Sequence, residues 1–222
     1  MKNTDNKITK SEEENQNSNE SNLKDIEWDK FDTGDIILFS GKNFWFSYMV
    51  EYFTGSPFSH IGIVLKNPTQ IDPKLKGLHL LESGEENVKD EVDNKKKFGV
   101  QIIPLEDKIK NYDGKVVYRK LNWSKNNMTR NILIWLIYQK IQNKPYDINI
   151  FDFICAGLKL DIGDKQKTNE FFCSALVAFI YTKMGLLKED TNWTLWSPKD
   201  FNDKNLKNLE DFAFLESDIW IK

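Results

Sequence analysis

Three residues that are far apart in the sequence, Cys173, His60 and Glu82, have side chains that could together perform nucleophilic chemistry. A cysteine attacks a carbonyl group as its thiolate, and it needs a base within hydrogen-bond reach. The base in turn needs a third group that holds it in the right tautomer, and histidine and glutamate suit these two roles. The set predicts acyl transfer, provided that the fold brings the three side chains together.

The segment around Cys173, residues 169–185 (NEFFCSALVAFIYTKMG), has the apolar spacing of a mostly buried helix. Thr168 or Asn169 can cap this helix, and Gly185 can end it. Cys173 then lies in the first turns, where unpaired backbone N–H groups and the helix dipole stabilise a thiolate. A free cysteine is nevertheless more often a small apolar core residue, so the helix alone leaves both interpretations open.

Two predicted strands carry the other two residues. In SHIGIVLK, His60 and Gly62 share one face, and Ile61 and Ile63 share the other. In LHLLES, Glu82 lies at the end of a face that is otherwise apolar, where a carboxylate needs a partner such as a histidine N–H. The alternatives are that His60 is a core histidine satisfied by hydrogen bonds and that Glu82 reaches water. No comparable partner can be identified for His79.

The first half of the chain has the pattern of a sheet. The segments predicted as strands are residues 36–39, 59–66, 78–83, 98–109 and 115–121. The charged segment 84–97 is interpreted as a solvated hairpin tip, with a mobile lid as the alternative. Four or five strands in meander order predict a curved, largely antiparallel sheet.

The second half has helical patterns. Residues 127–142 fit a buried helix that stops before Pro145, and residues 149–160, which include Cys155, fit a second helix or a turn. Further contacts that wrap around the core are predicted for Trp193, Trp196, Pro198 and Phe201.

The composition fits one globular domain with a polar leader. Residues 1–25 contain almost no large apolar side chain, so we expect a disordered tail followed by a single domain over residues 26–222. The formal net charge is -3, and Arg119 and Arg130 are the only arginines, which argues against a nucleic-acid partner.

Two cysteines cannot form a disulfide framework, and they lack a zinc spacing, so we expect no metal site and no cofactor. No apolar run reaches the ~18 residues of a membrane span, and the N-terminus lacks the apolar core of a signal peptide. We therefore expect a soluble intracellular protein, cytoplasmic or, if the source is viral, virion-associated. The oligomeric state stays open.

Seven short segments resemble, in order, the circularly permuted papain-like hydrolases of the NlpC superfamily, in particular the YiiX-like branch. They are GDIIL, TGSPFSHIGIVL, LLES, FGVQIIPLEDKI, KPYDINIFDF, EFFCSALVAFIYTKMGLL and SPKDF. Lecithin:retinol acyltransferase-like enzymes share the permuted architecture. In the usual papain-like order the cysteine helix precedes the histidine strand, and here the order is reversed, as in the permuted branch. The similarity covers roughly residues 31–201.

The resemblance implies a permuted papain-like (NlpC-type) α+β fold, in which a curved, mainly antiparallel sheet packs against the helix with the cysteine. It implies that Cys173 is the nucleophile, that His60 is the general base and later the general acid, and that Glu82 orients His60. The expected activity is that of a cysteine peptidase or amidase, which cleaves an amide or peptide bond through a thioacyl-enzyme. The oxyanion would lie near the backbone N–H of Cys173, and Tyr52 is a weak candidate for a second donor.

Two other functions stay open. One is a lipid acyl hydrolase or acyltransferase, for which the aromatic segment Phe44–Phe53 would form the substrate or membrane face. Such an enzyme needs an amphipathic surface with basic flanks, and Lys42 alone does not supply one. The other is a non-catalytic binding module, against which the intact Cys, His and Glu set argues. We therefore expect a peptide or amide substrate ahead of a lipid.

Overall fold

The computed structural model describes residues 26–41, 57–84, 88–145, 172–202 and 209–222, which form an α+β structure. The strands are β1 (Ile36–Gly41), β2 (His60–Lys66), β3 (Leu78–Gly84), β4 (Gly99–Pro104), β5 (Gly114–Arg119), β6 (Leu121–Trp123), β7 (Ala213–Leu215) and β8 (Ile219–Trp220). The α-helices are α1 (Leu105–Asn111), α2 (Asn127–Ile141) and α3 (Cys173–Lys183). The predictions for residues 1–25, for Phe44–Phe53 and for Cys155 lie outside the described residues.

Six strands form one sheet in the order β4-β3-β2-β1-β5-β8, and every neighbouring pair is antiparallel. Strands β6 and β7 form a separate two-stranded ribbon. The predicted meander is right for β1 to β4. It is wrong for β5, which pairs with β1 instead of β4 because α1 intervenes and returns the chain to the other side of β1.

The sheet is covered on both faces by apolar side chains. A larger core lies against α2 and α3, and it includes Ile61 and Ile63 of β2. A smaller core lies on the opposite face, includes Val64 of the same strand, and is closed by α1. Neighbouring residues of β2 thus contribute to different cores, as the alternation of side chains along a strand requires.

The strand predicted over residues 98–109 is wrong beyond Pro104, where helix α1 begins. Proline has no N–H to continue a strand ladder, so it favours a strand end. Leu105 and Ile109, which are one helical turn apart, are both fully buried in the smaller core. The spacing of buried residues therefore changes at this proline from the two-residue alternation of a strand to the spacing of a helix.

Helix α3 begins at Cys173, and the extended residue Phe172 is its N-cap. The prediction that Thr168 or Asn169 caps the helix is wrong, because Phe172 packs into the larger core immediately before the first turn. All residues from Cys173 to Thr182 are buried, so the helix is held on every side.

The end of α3 matches the prediction for Gly185, which adopts a left-handed conformation with φ of 75°. Its N–H donates to the carbonyl of Thr182 at 3.0 Å, and the N–H of Leu186 donates to that of Tyr181 at 2.8 Å. This pair of bonds is a Schellman motif, which satisfies carbonyl groups at the helix end.

The charged segment after β3 is a turn, and the prediction that it is solvated holds for Lys89, Asn94, Lys95 and Lys96, which are exposed, but is wrong for Asp90. Asp90 is fully buried and pairs with Lys97 at 2.5 Å. The N–H of Glu91 donates to the carbonyl of Ile102 in β4 at 2.8 Å. These bonds hold the turn against the sheet, because a buried carboxylate is stable only with a partner.

Both arginines are buried and bond to backbone carbonyl groups. Arg119 of β5 donates to the carbonyl oxygens of Phe201, Leu215 and Glu216 and pairs with Asp218 at 3.1 Å. Arg130 of α2 donates to those of Thr33, Trp123 and Lys125. Arg119 thereby ties the C-terminal segment to the sheet, and Trp193, Trp196, Pro198 and Phe201 are buried there as predicted.

Replacing Arg119 with methionine is expected to lower the free energy of unfolding by about 3–5 kcal/mol, because Asp218 and three carbonyl groups lose their donor. The control is Lys120→Met, since the amine of Lys120 pairs with Asp32 at partly exposed positions. It should lose less than about 1 kcal/mol. Urea denaturation followed by tryptophan fluorescence measures both. Equal losses would contradict the role assigned to Arg119.

Candidate active site

The structure brings His60, Glu82 and Cys173 together at one end of the sheet. His60 is the first residue of β2, and Glu82 lies two residues before the end of β3. Because the two strands are antiparallel, these positions lie at the same end. Cys173 is the first residue of α3, and its side chain reaches the ring of His60.

His60 links the other two side chains. Its Nε2 lies 2.6 Å from Oε2 of Glu82. Cys173 also acts on His60 through its charge and hydrogen bonding, so its side chain lies near the ring; since Nε2 is occupied by the carboxylate, Nδ1 is the ring atom that remains for it. The imidazole is therefore held by an acceptor on one side and faces a sulfur on the other.

Glu82 is a fully buried carboxylate with donors to both of its oxygens. Oε2 is bound by His60, while Oε1 accepts from Nε2 of Gln101 at 2.9 Å and from Nζ of Lys108 at 3.0 Å. Gln101 is directly opposite Glu82 in the register of β3 and β4, and Lys108 comes from α1. Three groups from three elements therefore fix the orientation of this carboxylate.

Gly84 leaves the space in which His60 and Glu82 meet. A Cβ atom at this position would lie 2.9 Å from Oε1 of Glu82 and 3.5 Å from Cε1 of His60. The first distance is shorter than van der Waals contact, and the bonded carboxylate has little freedom to move away. Any side chain here would therefore disturb the pair.

The charges of the site shift the two pKa values in opposite directions. Burial favours neutral His60, but the charge of Glu82, and then the charge and hydrogen bond of Cys173, raise the pKa of His60 from 6.5 to about 9. Burial also favours neutral Glu82, but the charges of Lys108 and His60 hold the pKa of Glu82 far below its ordinary range. The preferred state near neutral pH is an imidazolium beside a carboxylate.

Cys173 lies at a helix start whose backbone N–H groups have no side-chain cap from Phe172. The N–H groups of the first turn have no partner within the helix, and the dipole makes this end positive. The hydroxyl of Ser174 donates to the carbonyl of Trp196 at 2.7 Å, which anchors the turn. The side chain of Cys173 is thus surrounded by an imidazole and by the positive end of a helix.

Cys173 and His60 are largely shielded from solvent. Cys173 is 4% exposed and the side chain of His60 is 17% exposed. Phe39 lines the same region, with its ring centroid 5.6 Å from that of His60. An attacking group here is shielded from bulk water, which strengthens electrostatic interactions.

Three of the residues around the pair were missed by sequence reasoning: Gln101, Lys108 and Gly84. A signal for Gln101 was present, since it is the polar residue within an apolar strand, directly between Val100 and Ile102. Lys108 could not be placed while residues 98–109 were interpreted as one strand. Tyr52, the candidate for a second oxyanion donor, lies outside the described residues.

His79 lies apart from the pair in the alternation of β3, and it is buried. Burial lowers its pKa, with a smaller opposing effect from Glu91. No partner for His79 was apparent in the sequence, and its Nδ1 makes no hydrogen bond to the described residues.

No known family model matches the sequence, and no curated protein matches it. A solved structure that it resembles is the metalloprotein yiiX from Escherichia coli O157:H7, DUF1105, with a TM-score of 0.44 and 21% sequence identity. The match covers 68% of this chain and 64% of that chain, which is less than two thirds of the other protein's length.

Among the described residues, no group of three or more His, Cys, Asp or Glu side chains is arranged to hold a metal ion. Nor does this part of the chain contain a helix with the length and apolar character to cross a membrane.

The shifted pKa values predict how the site contributes to stability. The contribution of charged His60 is complete below about pH 6.5 and is lost as the pH rises through about 9. The contribution of ionised Glu82 is present above about pH 4.5 and is lost as the pH falls. Both contributions are therefore complete between about pH 4.5 and about pH 6.5.

We expect the free energy of unfolding of the wild type to fall, relative to His60→Gln, by on the order of 3 kcal/mol between about pH 6.5 and about pH 9.5. Urea denaturation at a series of pH values measures it. His79→Gln is the control and should keep the pH dependence of the wild type, because the pKa of His79 is shifted downward. Parallel profiles for the wild type and His60→Gln would contradict the ion pair.

Proposed function

We propose that this protein is a cysteine hydrolase that cleaves an amide or peptide bond, with Cys173 as nucleophile, His60 as general base and acid, and Glu82 as the group that orients His60. The observation that carries the proposal is the contact of one imidazole with both a buried carboxylate and the sulfur at a helix start. The order His, Glu, Cys along the chain agrees with the permuted papain-like architecture that the sequence motifs resemble.

The first half of the reaction is acylation. The thiolate of Cys173 attacks the carbonyl carbon, a C–S bond forms, and the carbonyl electrons move to oxygen. The backbone N–H of Cys173 and the positive helix end stabilise this oxyanion. His60 then donates a proton to the leaving nitrogen as the C–N bond breaks, and a thioester remains on Cys173.

The second half is hydrolysis. Neutral His60 takes a proton from a water molecule, and the resulting oxygen nucleophile attacks the thioester carbon. The C–S bond breaks, the carboxylic acid leaves, and the thiolate faces a protonated imidazole again. Glu82 keeps its charge throughout and stabilises the imidazolium of His60 in each step.

A test of the reactive pair is alkylation of the two cysteines by iodoacetamide, followed by mass spectrometry. In the proposed reaction His60 is the base for Cys173, so Cys173 should react faster than Cys155 at pH 6. Replacing His60 with alanine should slow the labelling of Cys173 by on the order of tenfold or more, since a positioned base typically contributes this much or more to a rate.

The matched control is His79→Ala, which removes the other histidine and should leave the labelling rate of Cys173 unchanged. Cys155 is an internal reference in every sample. Slow and equal labelling of both cysteines, indifferent to His60, would favour the non-catalytic binding module.

A lipid substrate is the second candidate, and a surface of α2 favours it. Met128, Ile132 and Leu136 are exposed and repeat every four residues, so they form one apolar stripe. Residues 114–145 contain five lysines, two arginines and no acidic residue. An apolar stripe in a purely basic stretch suits an anionic lipid surface.

We rank the amide ahead of the lipid because this stripe is not on the elements of the site. None of the large apolar side chains that the described part of the chain exposes belongs to β2, β3 or α3. A lipid enzyme would need its apolar face beside the sulfur.

Activity-based probes distinguish the two substrates. We expect an electrophilic aminoacyl or peptidyl probe to form an adduct on Cys173 of the wild type and not on Cys173→Ser, and an acyl-chain probe of equal reactivity to label less. Intact mass spectrometry with peptide mapping identifies the adduct. An acyl-chain adduct alone would reverse the ranking, and Met128→Gln would then test the stripe.

A further inference from the structure

We propose that Lys108 is a positioning residue for the reaction: from α1 it holds Glu82 ionised and turned toward His60. The inference rests on the function proposed above and deepens it, since neither the motifs nor the comparisons assign a role to this lysine. Lys108 bonds to the carboxylate and makes no contact with the sulfur, so it would act through Glu82 and His60.

The two oxygens of Glu82 have separate tasks. Oε2 is bound by His60 at 2.6 Å, and Oε1 is bound by Lys108 at 3.0 Å and by Gln101 at 2.9 Å. Rotation of the carboxylate away from His60 would break the bonds at Oε1 as well. The donors to Oε1 therefore hold Oε2 on the imidazole, and of these donors only Lys108 is charged.

Lys108 is itself held in place by the smaller core. Leu105 and Ile109, on the same helix, are fully buried there, so α1 cannot shift without exposing apolar surface. The side chain of Lys108 is 19% exposed, and its Nζ lies 5.7 Å from the ring centroid of Phe39. The same ring lies beside His60, so it contacts both cations that share Glu82.

Within the part of the chain that the structure describes, few charged groups surround the pair. Glu82 is faced by Lys108 from α1, His60 from β2 and the neutral Gln101 from β4, and His60 is faced by Glu82 and by Cys173 of α3. The charge of Lys108 opposes the effect of burial on Glu82, so its loss should raise the pKa of Glu82. The pKa of His60 should rise if Oε2 stays on the ring and fall if the carboxylate turns away.

A lysine that acted only as a nearby charge would leave Oε2 on the ring, and its loss would raise the pKa of His60. A positioning role predicts the opposite, namely that Glu82 turns away when Lys108 is lost and that the pKa of His60 falls. The difference between the two roles is therefore visible in the titration of His60 and in the pH profile of Cys173, and not in stability alone.

The test compares Lys108→Met, Lys108→Gln and Lys108→Arg in the full-length protein. The chain has only two histidines, so the imidazole Cε1–H signals in NMR spectra can be assigned with His79→Gln. We expect the pKa of His60 to fall by on the order of half a unit or more in the Met and Gln variants, because Glu82 turns away from the ring. Lys108→Arg should restore the wild-type value because it keeps the charge.

The second readout is the rate of iodoacetamide labelling of Cys173 between pH 4.5 and pH 9. In Lys108→Gln we expect the rate to fall by roughly threefold or more over this range, because Glu82 turns away and no longer orients the imidazole of His60 toward the sulfur. Lys110→Met, which removes an exposed lysine from the same helix, is the control and should match the wild type. The Gln variant keeps a hydrogen-bond donor, and it replaces the Met variant in the test if the Met variant does not fold.

A pKa of His60 that is unchanged or raised, with an unchanged labelling profile, in folded Lys108→Gln would overturn the positioning role. This outcome differs from failure of the hydrolase proposal, which would appear in the wild type as labelling of Cys173 that is indifferent to His60→Ala. The NMR titration needs no substrate, so it reports on Lys108 in either case.

Discussion

The arrangement at the end of the sheet depends on one buried negative charge. Glu82 has no exposed surface, and an ionised carboxylate without partners would be too unfavourable in such a place. Two cations and an amide compensate it, and they come from three different elements. The carboxylate therefore acts as the common partner of β2, β4 and α1, and the position of the imidazole follows from it.

The two cores of the molecule meet at His60. The partners of Glu82 are held from the smaller core, where α1 packs, whereas Cys173 belongs to the larger core with the rest of α3. His60 bonds to a group from each side. His60 can contact groups from both cores because it is the first residue of β2, at the end of the sheet. In the middle of the strand, the sheet itself would separate the two cores.

The sequence predicted the three central residues because each had a local signal. His60 and Glu82 stood at the ends of strands whose alternation was clear, and Cys173 stood at the start of an apolar helix. The α+β class and the first four strands followed from the same periodicities. The partners of Glu82 could not be predicted in this way, because Lys108 lies beyond a proline at which the pattern changes from strand to helix.

Other departures have similar causes. A polar cap was expected for α3 because serine, threonine and asparagine usually fill that position, but the packing of Phe172 decided the helix start. The pairing of β5 with β1 depends on where α1 returns the chain, and short-range patterns carry no such information. The buried pair of Asp90 and Lys97 likewise looked like solvated charge.

The division of the site along the chain has a consequence for biosynthesis. His60, Glu82 and Lys108 all lie within residues 60–108, whereas Cys173 comes much later in the chain. During translation, which proceeds from the N-terminus, the residues of this charged cluster leave the ribosome before Cys173 does. A polypeptide that ends before α3 therefore contains the charged residues without the sulfur of Cys173, which can join them only when α3 docks on the sheet.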